Sequence, residues 1–360
     1  MKIRCVLLAL MCILLSLPLG GLAVESYSVK KEIVEGHAAY HLLDSKLKME
    51  VGIVPDIGNF AYQFKVNGKD VLIPLESFTG YPEKQTFGWG IPFLAPWANR
   101  IDNDYYYFEG KKYLLNDSLG NFRRDNFKQP IHGLLVYESR WKVVKTGGSN
   151  ADGAFVVSRL EFYKYPDLMA QFPFAQVYEM TYRLKDGKLE CTTRATNVGN
   201  SDLPVHFAFH PYFHPDGPRE QWKLTIGAQK HWFVTKQLIP TGEIAPVKGT
   251  PLDFTTPALI GEHSDQLTGR SRGFDNNYVI NGGGGESLVL AARARDPQSG
   301  RVLEVRTTQP GLQLYTGNRS GFALETQHFP DSVNHTNFPP TILRPGETCK
   351  SATVLSFSAK

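Results

Sequence analysis

The sequence is poor in cysteine, and its few cysteines fit no metal-binding pattern. Four occur in 360 residues, and two of them, Cys5 and Cys12, belong to an apolar segment at the start of the chain. The other two, Cys191 and Cys349, form no C-x-x-C pair, which argues against a cysteine-ligated metal. In an oxidising compartment these two could form a disulfide or stay as two buried thiols, and their spacing allows both.

A marked excess of either charge is also missing. The chain has 39 lysines and arginines against 35 aspartates and glutamates, a formal net charge of +4. Recognition of a nucleic-acid backbone or an acidic membrane surface depends on dense basic patches, which this sequence does not contain. We therefore expect neither a nucleic-acid nor a membrane partner for the mature chain, and a small uncharged molecule instead.

Long apolar runs are rare, and the clearest one lies at the N-terminus. Two basic residues precede an apolar stretch over 5–19, and small residues follow it up to Ala23. This order is typical of a cleavable secretory signal, whereas a membrane-spanning helix usually needs about 20 apolar residues. The pattern predicts a signal peptide over 1–23 and a secreted or periplasmic mature chain over 24–360, with an uncleaved anchor as the alternative.

Helical periodicity is missing from the remainder, where apolar and polar residues alternate between turn residues, as in half-buried β-strands. Asn67-Gly68 and Asp186-Gly187 have the composition of type I′ hairpin turns, and the alternation across the second turn places Cys191 on the core side. The chain is therefore predicted to be all-β, with one large sandwich domain over 24–360, since no linker divides it. Further predicted strands are 155–164, 288–295, 301–308, 311–316 and 350–358.

Glu325 is the first candidate for chemistry, because it sits among apolar, proline and amide residues in the run LETQHFPDSVNHTNFPP at 324–340. A partly desolvated carboxylate is a stronger proton acceptor when it is ionised. Taken alone, however, a glutamate in such a run is more often an exposed loop residue.

Three histidines recur every four residues, at His206, His210 and His214. On a helix this spacing would suggest a metal site, but prolines at 204, 211 and 215 make a helix untenable. In a strand, His206 and His210 share one face, while Phe207 and Phe209 point to the core from the other. From the residues alone, structural histidines on a sheet surface and a zinc site are the alternatives to a catalytic role.

Five motifs follow one another along the chain: WANRI at 97–101, IHG at 131–133, HPYF at 210–213, FDNNYV at 274–279, and the run that contains Glu325. Together they resemble the aldose 1-epimerase (galactose mutarotase) family, and the resemblance covers nearly the whole mature chain. It implies a galactose mutarotase-like β-supersandwich with a concave sugar-binding face. It also implies an enzyme that interconverts the α and β anomers of a free aldose by general acid/base ring opening and reclosure, without metal or organic cofactor.

The same resemblance implies roles for the acid and the base. The family carries its general acid in the segment that matches HPYF, so His210 becomes the acid and Glu325 the base. His206 could then assist His210 or be a spectator. An acid and a base at the two oxygens of a hemiacetal are sufficient for ring opening, so no nucleophile is required.

Four further residues become substrate ligands through the resemblance. Asn99 and Arg100 lie in WANRI, His132 in IHG and Asp275 in FDNNYV, and each would bind sugar hydroxyls. Without the resemblance, a surface salt bridge or a turn cap is the plainer interpretation of each. Aromatic side chains that could stack on a pyranose face are Phe87, Trp89, Trp97, Trp232 and Tyr315.

The sequence leaves three other functions open. Arg123, Arg124 and Lys128 could hold the phosphate of a sugar phosphate, which would make the chain a hexose-phosphate mutarotase. Asp275 and Glu325 could be the two carboxylates of a glycosidase. A non-catalytic carbohydrate-binding module of the same fold would keep the aromatic residues and not need Glu325. Departures from the family pattern, which leave the preferred aldose open, occur at Phe209, His214 and Asn276.

Overall fold

A computed structural model of the chain describes residues 25–267, 273–317, 321–339 and 342–358. The predicted signal peptide over 1–23 lies outside these residues. Nearly all regular structure in the described part is β, which confirms the predicted fold class. No helix formed by the described residues is long and apolar enough to cross a membrane.

The strands are named in chain order. The first half contains β1 (Tyr27–Val34), β2 (His37–Asp44), β3 (Met49–Val54), β4 (Phe60–Val66), β5 (Lys69–Asp70), β6 (Phe93–Leu94), β7 (Tyr105–Phe108), β8 (Lys111–Leu114), β9 (Arg123–Arg124), β10 (Pro130–Ile131), β11 (Lys142–Ser149), β12 (Gly153–Leu160), β13 (Gln176–Lys185) and β14 (Lys188–Asn197). The second half contains β15 (Leu203–Pro204), β16 (Ala208–Phe209), β17 (Tyr212–Phe213), β18 (Lys223–Ile226), β19 (Ala228–Val234), β20 (Pro240–Pro246), β21 (Ala258–Leu259), β22 (Asp275–Ile280), β23 (Val289–Arg295), β24 (Val302–Thr307), β25 (Gly311–Tyr315), β26 (Phe322–Gln327), β27 (Ile342–Leu343) and β28 (Thr348–Ser358). Helical segments are short: α1 (Pro166–Gln171), α2 (Ile260–Ser264), and the 3-10 turns Asp117–Leu119, Phe162–Lys164, Arg219–Gln221 and Ser332–Asn334.

These strands form three main antiparallel sheets. A five-stranded sheet runs in the order β1-β2-β3-β4-β5, and a nine-stranded sheet in the order β11-β12-β13-β14-β28-β24-β23-β18-β21. The third sheet, of eight strands, has the order β20-β19-β22-β25-β26-β16-β6, and β17 also pairs with β26. The pairs β7-β8, β9-β10 and β15-β27 complete the structure of the described residues.

The main apolar core lies between the nine-stranded and eight-stranded sheets. Phe209 of β16 packs against Tyr182 of β13, with ring centroids 6.3 Å apart. Deeper in the same layer, Thr326 Oγ1 of β26 lies 2.6 Å from Thr353 Oγ1 of β28. The eight-stranded sheet thus has one face in the core, and its other face is free to carry polar groups.

Both predicted hairpins are present. Asp186 and Gly187 join β13 to β14, and Asn67 and Gly68 join β4 to β5. All four residues have positive φ, between 49° and 76°, as a type I′ turn requires.

Four of the five further predicted strands agree with observed strands to within two residues, and one is partly wrong. Residues 161–164, predicted as the end of strand 155–164, leave β12 and enter a 3-10 turn. Pro166 then begins α1 at its first position. Proline has no N–H to donate to a strand ladder, but it suits the first turn of a helix. The chain therefore continues as helix and not as strand here.

Cys191 and Cys349 are both free thiols, and Cys191 is buried as predicted. They lie on adjacent strands, but Cys191 is opposite Thr353, while Cys349 is opposite Ala195. At about 3.4 Å per residue along a strand, this offset separates them by more than the roughly 7 Å that a disulfide can bridge between Cα atoms. The disulfide alternative is therefore wrong for this fold.

Candidate active site

Glu325 owes its position to the register of β26. Leu324 belongs to the main core, and Thr326 contacts β28 across it. Because successive side chains on a strand point to opposite faces, Glu325 points away from the core and into a cavity on the other face. It is 2% exposed, so the alternative of an exposed loop glutamate is wrong.

His210 lies next to Glu325 because it occupies a break between two short strands. β16 and β17 both pair with β26, and His210 and Pro211 lie between them. His210 Nε2 is 3.0 Å from Glu325 Oε1, and both side chains are 3% exposed. Phe207 and Phe209 point into the core, as predicted. The structure therefore brings the two proposed catalytic residues into direct contact at the cavity wall.

The environment of Glu325 favours its protonated form. Burial raises the pKa of the Glu325 carboxyl above its ordinary value, and the nearby charge of Asp275 adds to that effect. The charge and hydrogen bond of His210, together with Arg100, oppose the rise. Glu325 Oε2 has no hydrogen-bond partner among the described residues. The hydrogen-bonding capacity of this oxygen is therefore not used by any of them.

Tyr212 fixes the orientation of His210. Its hydroxyl oxygen lies 3.3 Å from His210 Nε2, and the two rings stack with centroids 4.4 Å apart. Phe87 packs edge-on against the same imidazole at 5.0 Å. The imidazole of His210 is thus held in one orientation by two rings and two polar contacts.

Asn99 and His132 are placed by two strained loops that cross each other. The backbone N–H of His132 donates to Asn99 O at 2.9 Å, and both residues have positive φ, 57° for Asn99 and 69° for His132. Non-glycine residues seldom adopt this conformation, and it is concentrated at functional sites. Asn99 Oδ1 accepts hydrogen bonds from the backbone N–H and the Nη1 of Arg100. The crossing thus fixes three of the predicted ligands together.

Arg100 is neutralised by two carboxylates. Its Nε donates to Asp125 Oδ2 at 2.6 Å, and its Nη2 donates to Asp275 Oδ2 at 3.3 Å. Gln313 Nε2 donates to the other oxygen of Asp275 at 2.6 Å. Asp275 is therefore held as an acceptor-rich group at the cavity, with its charge balanced by Arg100.

His132 is kept neutral by its surroundings. Burial lowers the pKa of the His132 imidazole well below its ordinary value, and the neighbouring His210, Arg123 and Arg100 lower it further. Phe87 stacks on its ring, with centroids 4.9 Å apart and planes inclined by 19°. His132 is therefore an uncharged hydrogen-bonding group on the cavity wall.

All six predicted site residues line one cavity of about 870 Å³. That volume exceeds the needs of a single pyranose and is within the range of small-molecule sites. Of the aromatic candidates, Phe87 and Tyr315 lie on its wall, whereas Trp97 and Trp232 are in the core. The remaining wall is formed by Arg123, Arg124, Asp125, Asn126, Phe127, Ile131, Tyr212, Val234, Thr235, Lys236, Leu238 and Gly273.

Sequence reasoning missed two residues that position the site. Gln313 lies opposite Glu325 in the β25-β26 register and holds Asp275. A polar residue inside the apolar stretch GLQLY at 311–315 was the signal that could have revealed it. Asp125, which holds Arg100, stands in a polar loop, and nothing in its local sequence distinguishes it.

Neither of two proposed clusters has all its members at the cavity. His206 packs against His328, with ring centroids 5.6 Å apart, and His214 is exposed, so the three histidines do not converge on one point. Burial lowers the pKa of His206 to about 3. In the basic trio, Arg123 and Arg124 both line the cavity, but Arg124 is bound by Asp104 and Asp117, and Lys128 is exposed outside the cavity wall.

Replacement of Arg100 by methionine is expected to destabilise the fold by about 3–5 kcal/mol, because it leaves Asp125 and Asp275 buried without their counter-charge. Urea denaturation of the purified protein measures this loss. Arg124→Met is the matched control. Its partners Asp104 and Asp117 are 58% and 67% exposed, so it should cost about 1 kcal/mol or less. Equal losses in the two variants would contradict this interpretation of Arg100.

The fold and the cavity together define a class: an antiparallel β-sandwich protein with a buried carboxylate–imidazole pair in a polar cavity of small-molecule size. The model of one family, aldose 1-epimerase, matches residues 48–356. The chain belongs to the aldose 1-epimerase family.

Named relatives agree with this assignment. Human galactose mutarotase is 34% identical over 311 residues, which cover 80% of this chain and 84% of the relative. Aldose 1-epimerase of Escherichia coli K12 is 29% identical over 292 residues, covering 74% and 79%. Among solved structures, galactose 1-epimerase of Lactobacillus acidophilus superposes with a TM-score of 0.74 at 19% identity, covering 93% of this chain and 99% of that one. The structural likeness confirms the predicted galactose mutarotase-like fold.

Proposed function

We propose that this chain is an aldose 1-epimerase, an isomerase that interconverts the α and β anomers of a free aldose. The observation that carries the proposal is the contact of His210 Nε2 with Glu325 Oε1, 3.0 Å apart, on the wall of one cavity. The two relatives described above carry the names galactose mutarotase and aldose 1-epimerase, which support the same activity.

The pair can perform both proton transfers of the reaction. Glu325 removes the proton of the C1 hydroxyl while protonated His210 gives a proton to the ring oxygen, so the C1–ring oxygen bond breaks and an aldehyde forms. Rotation about C1–C2 exposes the other face of the carbonyl. The C5 hydroxyl then adds to it, returning one proton to His210 as Glu325 gives its own to the new C1 hydroxyl. Both oxygens are bonded to C1, which suits an acid and a base in contact with each other.

The other cavity residues bind and orient the sugar. Neutral His132 and the oxygens of Asp275 address hydroxyls, while Asn99 fixes the guanidinium of Arg100 beside them. Phe87 and Tyr315 supply apolar surface for the less polar faces of a pyranose. Contacts to hydroxyls other than that on C1 would be the same for both anomers, because the anomers differ only at C1.

The arrangement favours epimerisation over glycoside hydrolysis. A glycosidase needs a second carboxyl group that is free to act as acid, base or nucleophile. Asp275 is bound by Arg100 Nη2 and Gln313 Nε2, so it is a charge-balanced hydrogen-bond acceptor and not a free acid, base or nucleophile. The enzyme is expected to leave glycosidic bonds intact: incubation with lactose should release no free galactose or glucose, detected by chromatography.

Polarimetry of freshly dissolved α-galactose and α-glucose tests the function itself. Approach to anomeric equilibrium should be faster in proportion to protein concentration, and heat-inactivated protein serves as the control. A protein that binds these sugars without speeding the change would be a carbohydrate-binding module, and the proposed activity would be wrong.

The pH dependence of kcat/KM should show the raised pKa of Glu325. The base must be ionised, so activity falls as pH drops through that pKa, which burial places above the ordinary value of 4.5. The loss of activity at low pH is therefore expected to begin at a higher pH than an exposed glutamate would give. Rates measured from pH 4 to 9 check this, and a flat profile from pH 5 to 8 would contradict the pair.

We also propose that the protein is exported, with residues 1–23 removed as a signal peptide. The basic start, the apolar stretch and the small residues before position 24 support this. Expression of the full chain in a bacterial host, followed by mass spectrometry of the periplasmic fraction, should give a protein that begins at Val24. An intact N-terminus in the cytoplasmic fraction would contradict export.

A further inference from the structure

We propose that Asp331 is a positioning residue, which holds the sugar-binding segment 99–102 in place relative to Glu325 without contacting the sugar. Asp331 is 4% exposed and does not belong to the cavity wall. The inference rests on the proposed function, because it takes Asn99 and Arg100 as ligands of the sugar. It adds to that function a residue that acts only through these two ligands.

Two hydrogen bonds connect Asp331 to the segment 99–102. The backbone N–H of Asp331 donates to Arg100 O at 3.1 Å. Asp331 Oδ1 accepts from the backbone N–H of Asp102 at 3.2 Å, across 229 residues of sequence. The second bond depends on the carboxylate, so a side-chain substitution at position 331 removes it.

Other contacts to the same segment use main-chain atoms alone. Ile101 N donates to Pro130 O at 3.0 Å. His132 N donates to Asn99 O at 2.9 Å. Because Asn99 has a positive φ of 57°, its conformation persists only where the surroundings determine it fully. The carboxylate of Asp331 therefore supplies the part of this constraint that a substitution can test.

The backbone of Asp331 is fixed relative to the base. Asp331 follows shortly after β26, the strand that carries Glu325. Between the two, Phe329 packs against Trp232 and Phe338, with ring centroids 5.0 Å and 5.6 Å apart. Large aromatic contacts of this kind leave the chain little freedom, so Asp331 and β26 keep one relative position.

Two neighbouring side chains orient the carboxylate of Asp331. Asn334 Nδ2 donates to Oδ1 at 2.7 Å, and His335 Nε2 lies 3.5 Å from Oδ2. Asp331 also has a φ of 54°, a conformation that non-glycine residues seldom adopt and that is concentrated at functional sites. A carboxylate held in this way can fix residues 99–102 relative to β26.

Loss of the carboxylate should affect sugar binding more than proton transfer. His210 and Glu325 are in direct contact with each other, whereas Asn99 and Arg100 lie in the segment that Asp331 holds. Contacts with sugar hydroxyls act in the bound sugar and in the transition state alike. Their weakening therefore raises KM and leaves kcat nearly unchanged.

Polarimetry of α-galactose at several sugar concentrations tests the proposal with Asp331→Ala. The value of kcat/KM should fall about tenfold or more, mainly through a higher KM, because a displaced ligand no longer fits the sugar. Asp331→Asn keeps an oxygen that can accept from Asp102 N, and it should recover most of the loss. If the alanine variant does not fold, Asp331→Gly replaces it, since glycine adopts a positive φ without steric cost.

Asp296→Ala is the matched control. Asp296 is also 4% exposed, lies between β23 and β24, and is not part of the cavity wall. Its carboxylate accepts from Gln298 N at 2.9 Å and from Ser299 N at 3.2 Å. Both alanine variants should lose stability in urea denaturation, because each leaves backbone N–H groups without their acceptor. Only in Asp296→Ala should kcat and KM per folded molecule stay within about twofold of the wild type.

A double variant separates positioning from a general loss of structure. Asn99→Gly removes the side chain of one ligand at a position whose positive φ suits glycine. Since Asp331 acts through this ligand and its neighbour, the loss of kcat/KM in Asn99→Gly/Asp331→Ala should be smaller than the product of the two single losses. The proposal is overturned if Asp331→Ala leaves KM unchanged, if Asp296→Ala raises KM equally, or if the two losses multiply.

Titration calorimetry with galactose distinguishes failure of this proposal from failure of the proposed function. A wild type that accelerates the exchange of no sugar would refute the function. Weaker galactose binding in Asp331→Ala than in Asp296→Ala would support the positioning role even then. Equal binding in the two variants would overturn it.

Discussion

Glu325→Gln is expected to lower the rate of anomer exchange by about 10²–10⁴-fold, while the variant folds and still binds sugar. Glutamine has the shape of glutamate and can keep a hydrogen bond to His210, but it cannot accept the proton of the C1 hydroxyl. The defect should appear in kcat rather than in KM, since the lost interaction belongs to the transition state. Polarimetry of α-galactose at several sugar concentrations separates the two constants.

The same substitution is not expected to reduce the stability of the fold. Burial raises the pKa of Glu325, so the folded protein holds the ionised carboxylate at a cost when the pH is above that pKa. Removal of the charge should therefore leave the stability at pH 7 unchanged or slightly higher, as measured by urea denaturation. A variant that is inactive because it is unfolded would contradict this, and a folded variant with wild-type kcat would show that Glu325 is not the base.

His210→Gln is expected to slow exchange to a similar extent, about 10²–10⁴-fold, because the ring oxygen would leave without a proton donor. Polarimetry of α-galactose with both proteins at equal concentration measures the effect.

His206→Gln is the matched control for His210. His206 is buried in the same segment, at 7% exposure, but it packs against His328 and lies outside the cavity wall. Its replacement should change the rate per folded molecule by less than about threefold, within the range of substitutions remote from a site. A large catalytic loss in His206→Gln with the fold intact would mean that His206 assists His210, the alternative that the sequence left open.

Local pattern was sufficient to predict part of this structure. Asp186-Gly187 determines its own turn, and the period of two along a strand then places Cys191 in the core. The same period separates Phe207 and Phe209 from His210. These are properties of a few neighbouring residues, so a single sequence contains enough information to predict them.

Contacts between distant segments could not be predicted in the same way. Arg100 and Asp275 are separated by 175 residues, and Arg100 and Asp125 by 25, and no periodicity links them. Gln313 meets Glu325 only through the register of two strands. The positive φ of Asn99 and His132 is likewise imposed by the crossing of two loops, since neither residue type requires that conformation.

The resemblance to the aldose 1-epimerase family predicted site residues that the local sequence pattern could not. Without it, His132 and Asp275 were turn caps, yet the structure places both on the wall of the cavity that contains Glu325. The resemblance was no guide, however, to the charge balance of that cavity. Arg124 and Lys128 looked equivalent to Arg123 in sequence. Only the structure shows that Asp104 and Asp117 bind Arg124, whereas Arg123 has no carboxylate partner among the described residues.

The most direct test of the proton-transfer pair is two-dimensional NMR exchange spectroscopy of galactose at anomeric equilibrium, recorded with wild type and with Glu325→Gln at equal concentration, together with saturation transfer from protein to sugar in the same samples. Exchange peaks between the two anomeric protons are expected with the wild type and should be lost with Glu325→Gln, while saturation transfer is expected in both. Exchange peaks of equal intensity in the two samples would contradict the proposed role of Glu325.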